Sequence, residues 1–397
     1  MKKITATALG LLTASSLCAQ SLFDLAPKDD ETESSPLSWT VGTSLGYDDN
    51  PTPGSDNEAA YGVVYVGAAF LSQSPQTTVE FAGRLGYVHY FDDLDFGLLK
   101  IDQSTPTGSL SLNWTRRINE RLRLSSRNSL AFEYQPNYSV GSQAIRQTGA
   151  YTRWSSDNSV GYRWSERLGT YTGFIYDGVE YDNPAAQRND VSAITLYNDF
   201  RYQLSPQTVA TLTYRYADRN TAAGIGDTQN HFIMVGGEHR FSPNSVAIVR
   251  AGVQLRSIDG STKDYTSPSA EAALTTRVNQ QLSVKAYGRL STEDSSRQVG
   301  TAVYDNANTM RLGVSGTYRV SQALSLNSGI NYQSLAYEDG NAPDLDESLI
   351  NAFIGFNLQI AENLYLNGSY NFEDLGSDVT AREYDRNRMS IGVRATF

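Results

Sequence analysis

The 397-residue chain contains very little cysteine and histidine. Its one cysteine, Cys18, lies near the start, so the rest of the chain can form neither a disulfide nor a cysteine metal site. The three histidines, His89, His231 and His239, fit no arrangement of nucleophile, base and orienting acid. Glycine-rich phosphate loops and zinc-ligand spacings are also missing. These absences predict a protein that is not an enzyme and carries no cofactor and no metal.

Charge is scarce as well, and it is mostly negative. Charged residues make up 19% of the chain and the formal net charge is -11, so the surface offers no basic footprint for nucleic acid. No nucleic-acid partner is therefore expected.

Long apolar runs are missing beyond the first residues. The opening, MKKITATALGLLTASSLCAQ, has a basic start, an apolar middle and a small-residue end, which predicts a signal peptide over residues 1–19. Lipid attachment at Cys18 is the alternative. After this segment no run of about 18 apolar residues occurs, which excludes membrane-spanning helices. The other structure that can cross a bilayer is a closed β-barrel.

What the chain does contain is strand-forming sequence with two different faces. Its 25 tyrosines and 32 glycines suit strands and tight turns. The chain ends on RNRMSIGVRATF, in which apolar and polar residues alternate. The apolar positions are Met389, Ile391, Val393, Ala395 and Phe397. Period-two alternation predicts a strand with different surroundings on its two sides, continuing to the last residue.

Eight short segments rich in Ser, Pro, Asn and Gln recur along the chain. They are centred on Ser74, Asn119, Ser165, Ser205, Ser242, Asn279, Ser321 and Ala361. Each is flanked by alternating sequence, as in a β-hairpin, and longer acidic stretches separate the hairpins. Short turns at one end and longer loops at the other predict an all-β fold, a transmembrane antiparallel up-and-down barrel of about 18 strands. It would occupy residues 38–397, after a polar periplasmic lead-in over residues 20–37.

Outward aromatic residues are expected near both ends of these strands. Trp164, Tyr202 and Phe241 precede short turns, whereas Tyr87 and Tyr176 lie near longer loops. Two aromatic girdles of this kind mark the two interfaces of a bilayer. Phe397 would belong to the girdle at the short-turn end.

The terminal strand carries the first resemblance to known proteins. Met389, Ile391, Val393 and Phe397 resemble the signal that outer-membrane barrels present to the barrel-assembly machinery. The hairpin SLGYDDNPTPGSDNEAAYG and the repeated YRW and YRVS turns resemble the putative beta-barrel porin 2 family. The resemblance implies a location in the bacterial outer membrane, contact with outer-membrane lipid and lipopolysaccharide, and an association with exopolysaccharide export systems.

Arginine dominates the predicted inward face. Five of the eight hairpins have an inward arginine two residues before the turn centre. Further inward arginines lie near the same height on the strands or farther from the turns. The candidate pore-lining residues are Arg117, Arg163, Arg201, Arg240, Arg277, Arg319, Arg394, Arg311, Arg289 and Arg250. Fewer acids are expected inside, because Asp48, Asp93, Asp95, Asp339 and Glu347 are assigned to loops. A ring of arginines would favour anions, although charged networks also line wide barrels structurally.

Three functions remain open at this point. The first is a porin-like channel for small, anionic solutes or for polysaccharide export, in which a periplasmic export complex would supply the polymer. The second is a non-conducting structural or adhesive barrel whose lumen is filled by arginine–carboxylate pairs. The third, a soluble β-propeller, is disfavoured because each repeat holds two long strands rather than four short ones. No loop is much longer than a dozen residues, so an inward-folded constriction loop is not expected.

Overall fold

The computed structural model describes residues 35–51, 58–92, 94, 102–134, 150–183, 187, 190–222, 227–260, 264–295, 298–299, 302–304, 306–338 and 344–397. The strands are β1 (Ser35–Asp48), β2 (Ala59–Gln73), β3 (Thr77–Tyr90), β4 (Ser104–Arg117), β5 (Leu122–Tyr134), β6 (Ala150–Arg163), β7 (Leu168–Tyr181), β8 (Val191–Ser205), β9 (Thr208–Thr221), β10 (Thr228–Ser242), β11 (Ser245–Ile258), β12 (Asp264–Arg277), β13 (Leu282–Asp294), β14 (Gln298–Val299), β15 (Ala302–Val303), β16 (Asn306–Arg319), β17 (Leu324–Glu338), β18 (Leu345–Ala361), β19 (Leu364–Ser377) and β20 (Tyr384–Thr396). A 3-10 turn, Thr380–Arg382, precedes β20.

Eighteen of these strands form one closed antiparallel sheet, in which each strand pairs with its neighbours along the chain. The first strand closes the barrel against the last, in a register that runs from Thr40 opposite Thr396 to Asp48 opposite Arg388. Trp39 and Phe397 exchange both backbone hydrogen bonds at the end of this seam, at 2.9 and 2.8 Å. The short strands β14 and β15 form a separate hairpin between β13 and β16. The predicted barrel and its strand number are therefore confirmed.

Alternation along each strand separates an apolar outer surface from a packed interior. In β20 and the residue after it, Ile391 and Phe397 are 55% and 70% exposed, whereas the inward Arg386 is 4% exposed. Apolar side chains are exposed on the outer face all around the barrel. Examples on other strands are Leu85, Val235 and Ile354. A barrel that is apolar outside and polar inside is matched to hydrocarbon around it and to water or ion pairs within it.

The short turns are built by side chains that replace missing backbone partners. The Asn119 Oδ1 atom accepts hydrogen bonds from the backbone N–H groups of Arg121 and Leu122, both at 2.8 Å. Asn279 makes the equivalent pair of bonds, and Ser321 Oγ accepts from the N–H of Leu324 at 3.0 Å. Because Asn and Ser stabilise tight turns in this way, the recurring segments form the turns predicted from the sequence.

Exposed aromatic side chains lie near both ends of the barrel wall. Trp164, Tyr202 and Phe241 are exposed beside short turns, and Tyr87 and Tyr176 are exposed toward the longer loops. These positions match the two predicted girdles and bound an apolar band between them.

The start of the barrel lies slightly ahead of the predicted boundary. Strand β1 begins at Ser35 rather than at residue 38. The predicted signal peptide, residues 1–19, and most of the lead-in, residues 20–37, lie outside the described residues. Among the described residues, no helix is long and apolar enough to cross a membrane.

The face assignment leads to a first prediction. Ile354 points outward in the middle of β18, and the inward Ser369 on β19 lies at the same height, opposite Gly355. We expect Ile354→Arg to lower the free energy of unfolding by about 2–4 kcal/mol, because the charge would enter hydrocarbon. The matched change Ser369→Arg should cost much less, because that side chain faces the lumen. Equal losses in reversible unfolding from lipid vesicles would contradict the assignment.

The terminal residue leads to a second prediction. Phe397 is exposed on the outer face while its backbone closes the sheet, so its ring is free to contact lipid or an assembly factor. We expect Phe397→Asp to reduce the amount of folded protein in the outer membrane, and Phe397→Trp to preserve it. Heat-modifiability on gels of membrane fractions measures the folded amount. Undiminished folding of the Asp variant would remove the predicted role of Phe397 as part of an assembly signal.

Candidate functional site

A ring of arginines surrounds the short-turn end of the barrel. Four strands, β4, β6, β12 and β16, end on an arginine, and β10 has an arginine two residues before its end. The backbone N–H of each donates to the last residue of the preceding short turn, at 2.7 Å for Arg117 and 2.8 Å for Arg163, Arg240, Arg277 and Arg319. Because the same bond recurs, the five residues lie at one level, and strand alternation directs them inward. We call this set the arginine rim.

The arginine rim is interrupted by glutamine at equivalent positions. Gln203 and Gln359 donate the same backbone hydrogen bond, each at 2.8 Å. Arg201 lies two residues further into the barrel than Gln203, and Arg394 lies two residues before Thr396, which makes the equivalent bond at 2.9 Å. Short turns face the periplasm in barrels of this kind, so the arginine rim marks the periplasmic mouth.

Deeper in the lumen, arginines are paired with carboxylates. Arg201 on β8 forms a two-point ion pair with Glu238 on β10, and both side chains are fully buried. Arg250 on β11 lies 3.1 Å from Asp199, 3.7 Å from Glu238 and 3.8 Å from Glu271. Removing one member would leave a buried charge without compensation, so this network fixes the wall from β8 to β12.

The other predicted pore-lining arginines have different surroundings. Arg311 donates to Glu293 at 2.8 Å and to Gln333 at 3.3 Å. Arg394 lies 4.9 Å from the centre of the Tyr365 ring and donates to Asn357 at 3.1 Å. Arg289 is half-buried on the inward face of β13. The ten candidates therefore do not form one uniform lining.

The expectation that most acids lie in loops is wrong for two of the residues assigned there. Asp48 is a fully buried, inward residue of β1 that pairs with Arg386, and Glu347 on β18 pairs with Arg382 at 2.5 Å. Asp93, Asp95 and Asp339 lie outside the described residues. The strands carry further inward acids that the sequence analysis did not single out: Asp157, Asp177, Glu293 and Glu373. Their place in the period-two alternation was the available signal. Asp294 has the opposite parity to Glu293, and it is buried at the end of β13, where that strand has separated from β12.

Two apolar clusters narrow the loop end of the lumen. One contains Tyr304 from the β13–β16 connection, packed with Leu335, Tyr337 and other inward residues of β16 to β19. The other contains Leu94 from the β3–β4 connection, packed with Tyr61 and Tyr90. Residues of two connections thus pack against inward-facing side chains, contrary to the expectation of no inward-folded segment.

The upper part of β13 separates from β12 but stays paired with β16. Strands β12 and β13 pair only from Arg277 opposite Ser283 to Ala270 opposite Leu290, although both strands continue beyond that point. Continuing the register would place Thr292 opposite Pro268, which has no N–H to donate. The ladder therefore ends where proline removes a hydrogen-bond donor.

A side chain takes over the lost pairing. The amide of Gln254 on β11 donates from Nε2 to the carbonyl of Thr292 at 2.7 Å and accepts the Thr292 N–H at 3.0 Å. A primary amide carries the same donor and acceptor as a backbone peptide group. Because Gln254 projects into the lumen from β11, it draws Thr292 toward the inner surface of β11 and β12, while Thr292 stays paired with Asn308 on β16.

Ion pairs hold the end of the same segment. Asp294 receives Arg256 at 2.5 Å, Arg219 at 3.0 Å and the hydroxyl of Thr228 at 2.8 Å. Ser291, Thr292 and Asp294 are all buried, so side chains on both faces of this part of β13 are shielded from solvent. We call residues 291–294 the inward segment, and it projects over the lumen from one side.

Comparison with known proteins finds a family profile that matches part of the chain and several similar solved structures. Residues 249–397, which run from β11 to the end of β20, match the sequence profile of the family described as putative beta-barrel porin 2. No curated protein sequence matches the chain. OccAB4 of Acinetobacter baumannii is 12% identical with a TM-score of 0.46, and the alignment covers 92% of this chain and 99% of that one.

Two further solved structures have the same degree of similarity. OpdK of Pseudomonas aeruginosa, solved with vanillate, is 10% identical over 91% of this chain and 99% of its own, with a TM-score of 0.49. A BenF-like porin from Pseudomonas fluorescens Pf-5 is 14% identical over 91% and 98%, with a TM-score of 0.46.

The closed sheet, the apolar outer band and the inward charge define a porin-like β-barrel of the bacterial outer membrane. Within that class, residues 249–397 carry the sequence pattern of the putative beta-barrel porin 2 family, as the YRVS turn at residues 318–321 suggested, whereas the first hairpin lies outside the matched residues.

The Gln254 bridge leads to a third prediction. We expect Gln254→Met, which keeps the size but removes both hydrogen bonds to Thr292 and the one to Asn230, to speed amide hydrogen exchange in the inward segment. Losing three buried hydrogen bonds should also cost about 1–3 kcal/mol of stability. Gln359→Met, at the opposite end of the lumen, is the matched control. Unchanged exchange at residues 291–294 would show that Gln254 does not hold the segment.

Proposed function

We propose that the barrel is a diffusion channel for small anionic solutes, with the arginine rim as its periplasmic mouth. The observation that carries the proposal is the single level at which five inward arginines lie. Fixed positive charges at a pore mouth raise the local concentration of anions and lower their entry barrier.

The positions of the acidic residues also support a preference for anions over cations. The buried acids Asp199, Glu238 and Glu271 are engaged with arginines deep in the wall, and these pairs contribute little net field. In the arginine rim, Arg163 donates to the carbonyl oxygens of Ser165 and Glu166 at 3.3 and 3.0 Å.

The passage of solutes would be limited at the loop end of the barrel. The inward segment and the two apolar clusters occupy the loop half of the lumen, which favours a narrow path over the wide opening expected of a bare 18-strand barrel. Small solutes fit this arrangement better than bulky ones.

Polysaccharide export is the second candidate, and the orientation of the arginine rim favours it. An acidic polymer delivered by a periplasmic export complex would meet the arginines first. Such a channel would need the inward segment to move aside, because a chain polymer is wider than a small ion. Contact with lipopolysaccharide around the outer leaflet belongs to either version of the proposal.

The deciding experiment, and the fourth prediction, is single-channel recording of the refolded protein in a planar bilayer under a potassium chloride gradient. We expect a steady conductance and a reversal potential of the sign for chloride preference. Neutralising Arg240, Arg277 and Arg319 to glutamine should move that potential toward zero, because the positive field at the mouth weakens. A folded but silent barrel would contradict a free diffusion channel and would favour gated export or a structural role.

A neighbouring residue provides a matched control. Arg116 and Arg117 are adjacent, but Arg116 pairs with Thr77 on the outward face, whereas Arg117 faces the lumen. Arg117→Gln should reduce anion preference and Arg116→Gln should leave it unchanged. Equal effects would mean that overall charge, rather than the arginine rim, sets the selectivity.

A further inference from the structure

The outer surface of the barrel has a polar region in the middle of β5 and β6. Ser126 and Asn128 on β5 lie opposite Asn158 and Ser156 on β6. All four share the outward face with Leu130, which is exposed and apolar. Residues at such positions normally face lipid and are apolar.

The four side chains form a closed ring of hydrogen bonds. Ser126 Oγ donates to Asn158 Oδ1 at 2.7 Å, and Asn158 Nδ2 donates to Ser156 Oγ at 2.8 Å. Ser156 Oγ donates to Asn128 Oδ1 at 2.7 Å, and Asn128 Nδ2 donates to Ser126 Oγ at 2.9 Å. The ring uses one of the two N–H donors of each amide, so each asparagine has a second donor directed elsewhere.

The polar region continues onto the next two strands. Asn198 on β8 donates from Nδ2 to Thr172 Oγ1 on β7 at 2.6 Å. The Oδ1 atom of Asn198 is buried and has no hydrogen-bond partner among the described residues. Thr172 pairs with Val160 on β6, beside Asn158, so the two groups are contiguous. We call these six residues the polar patch: Ser126, Asn128, Ser156, Asn158, Thr172 and Asn198.

The height of the polar patch places it inside the hydrocarbon. Asn128 is opposite Leu112 on β4, and Asn158 is opposite Phe174 on β7. Leu112 and Phe174 are exposed apolar side chains of the outer band. No water reaches this level to satisfy a remaining N–H or carbonyl group, and each unsatisfied polar group in lipid is costly.

We propose that the outward face of β5 to β8, centred on the polar patch, is the contact between two copies of this chain in the membrane. The partner must itself lie in the bilayer, because the polar patch does. The polar patch contains only hydroxyl and amide groups, so it offers no charge for an oppositely charged partner. Each amide, in contrast, both donates and accepts, which makes the surface complementary to itself about a two-fold axis.

The surroundings of the polar patch suit such a contact. Leu112, Leu130, Val160, Phe174 and Leu196 surround it with exposed apolar side chains that pack against a copy as readily as against lipid. Polar side chains that hydrogen-bond across an interface supply the specificity that apolar packing lacks inside a membrane. This contact does not depend on whether the barrel conducts.

Cysteine cross-linking of the full chain in lipid vesicles tests the proposal, with Cys18 replaced by serine so that each variant has one thiol. Val160→Cys, beside the polar patch, should cross-link to its own copy on oxidation. Val314→Cys, an exposed outward position on β16, should not. Cross-linking at neither position, or equally at both, would overturn the assigned face.

Substitution of the asparagines provides the second arm and the fifth prediction. The mass of the detergent-solubilised protein, measured by light scattering, should correspond to two copies for the natural chain and to one copy for Asn128→Leu with Asn158→Leu. Ser328→Leu, at an exposed outward position on β17, is the matched control and should stay dimeric. A natural chain that is monomeric or trimeric, or a double variant that remains dimeric and folded, would overturn the proposal.

Discussion

The requirement that every backbone N–H and C=O group inside a membrane be bonded within the protein governs this structure. It is met by closing the sheet, and the closure depends on a few residues at its two ends. Trp39 and Phe397 exchange both hydrogen bonds, and Asp48 reaches across the same seam to Arg386. The last strand therefore completes the ladder of the first, and no strand edge is left open at the seam.

The interruption of the ladder between β12 and β13 shows the same requirement in another form. Pro268 has no N–H, so Thr292 has no backbone partner on β12, and Gln254 provides a side-chain amide in its place. The segment thereby separates from β12 and lies over the lumen, while it stays paired with β16. A residue that would weaken an ordinary sheet thus becomes the origin of an internal narrowing, with Asp294 and its arginines fixing the end.

Much of this architecture was predictable because it depends on local periodicity. Alternation assigns Phe397 and Ile354 to the outer face, and the recurring turn sequences set the number of strands. The level of Arg117 and Arg319 follows from their fixed distance to a turn. Pairings between strands that are not adjacent were not predictable: Arg201 meets Glu238 two strands away, and Gln254 meets Thr292 two strands away. Such contacts depend on barrel curvature, side-chain reach and the position of a proline, which periodicity does not encode.

The repeated hydrogen bond at each short turn has a consequence for how the barrel can change size. Every hairpin docks on its neighbour through the same backbone contact, so one hairpin is equivalent to another at the periplasmic end. Gaining or losing one would change the circumference by roughly 10 Å, two strand spacings of about 4.8 Å each, and would keep both chain ends on the same side. The circumference of such a barrel can change only by whole hairpins. Smaller changes in the width of the lumen must come from the side chains and segments that project into it.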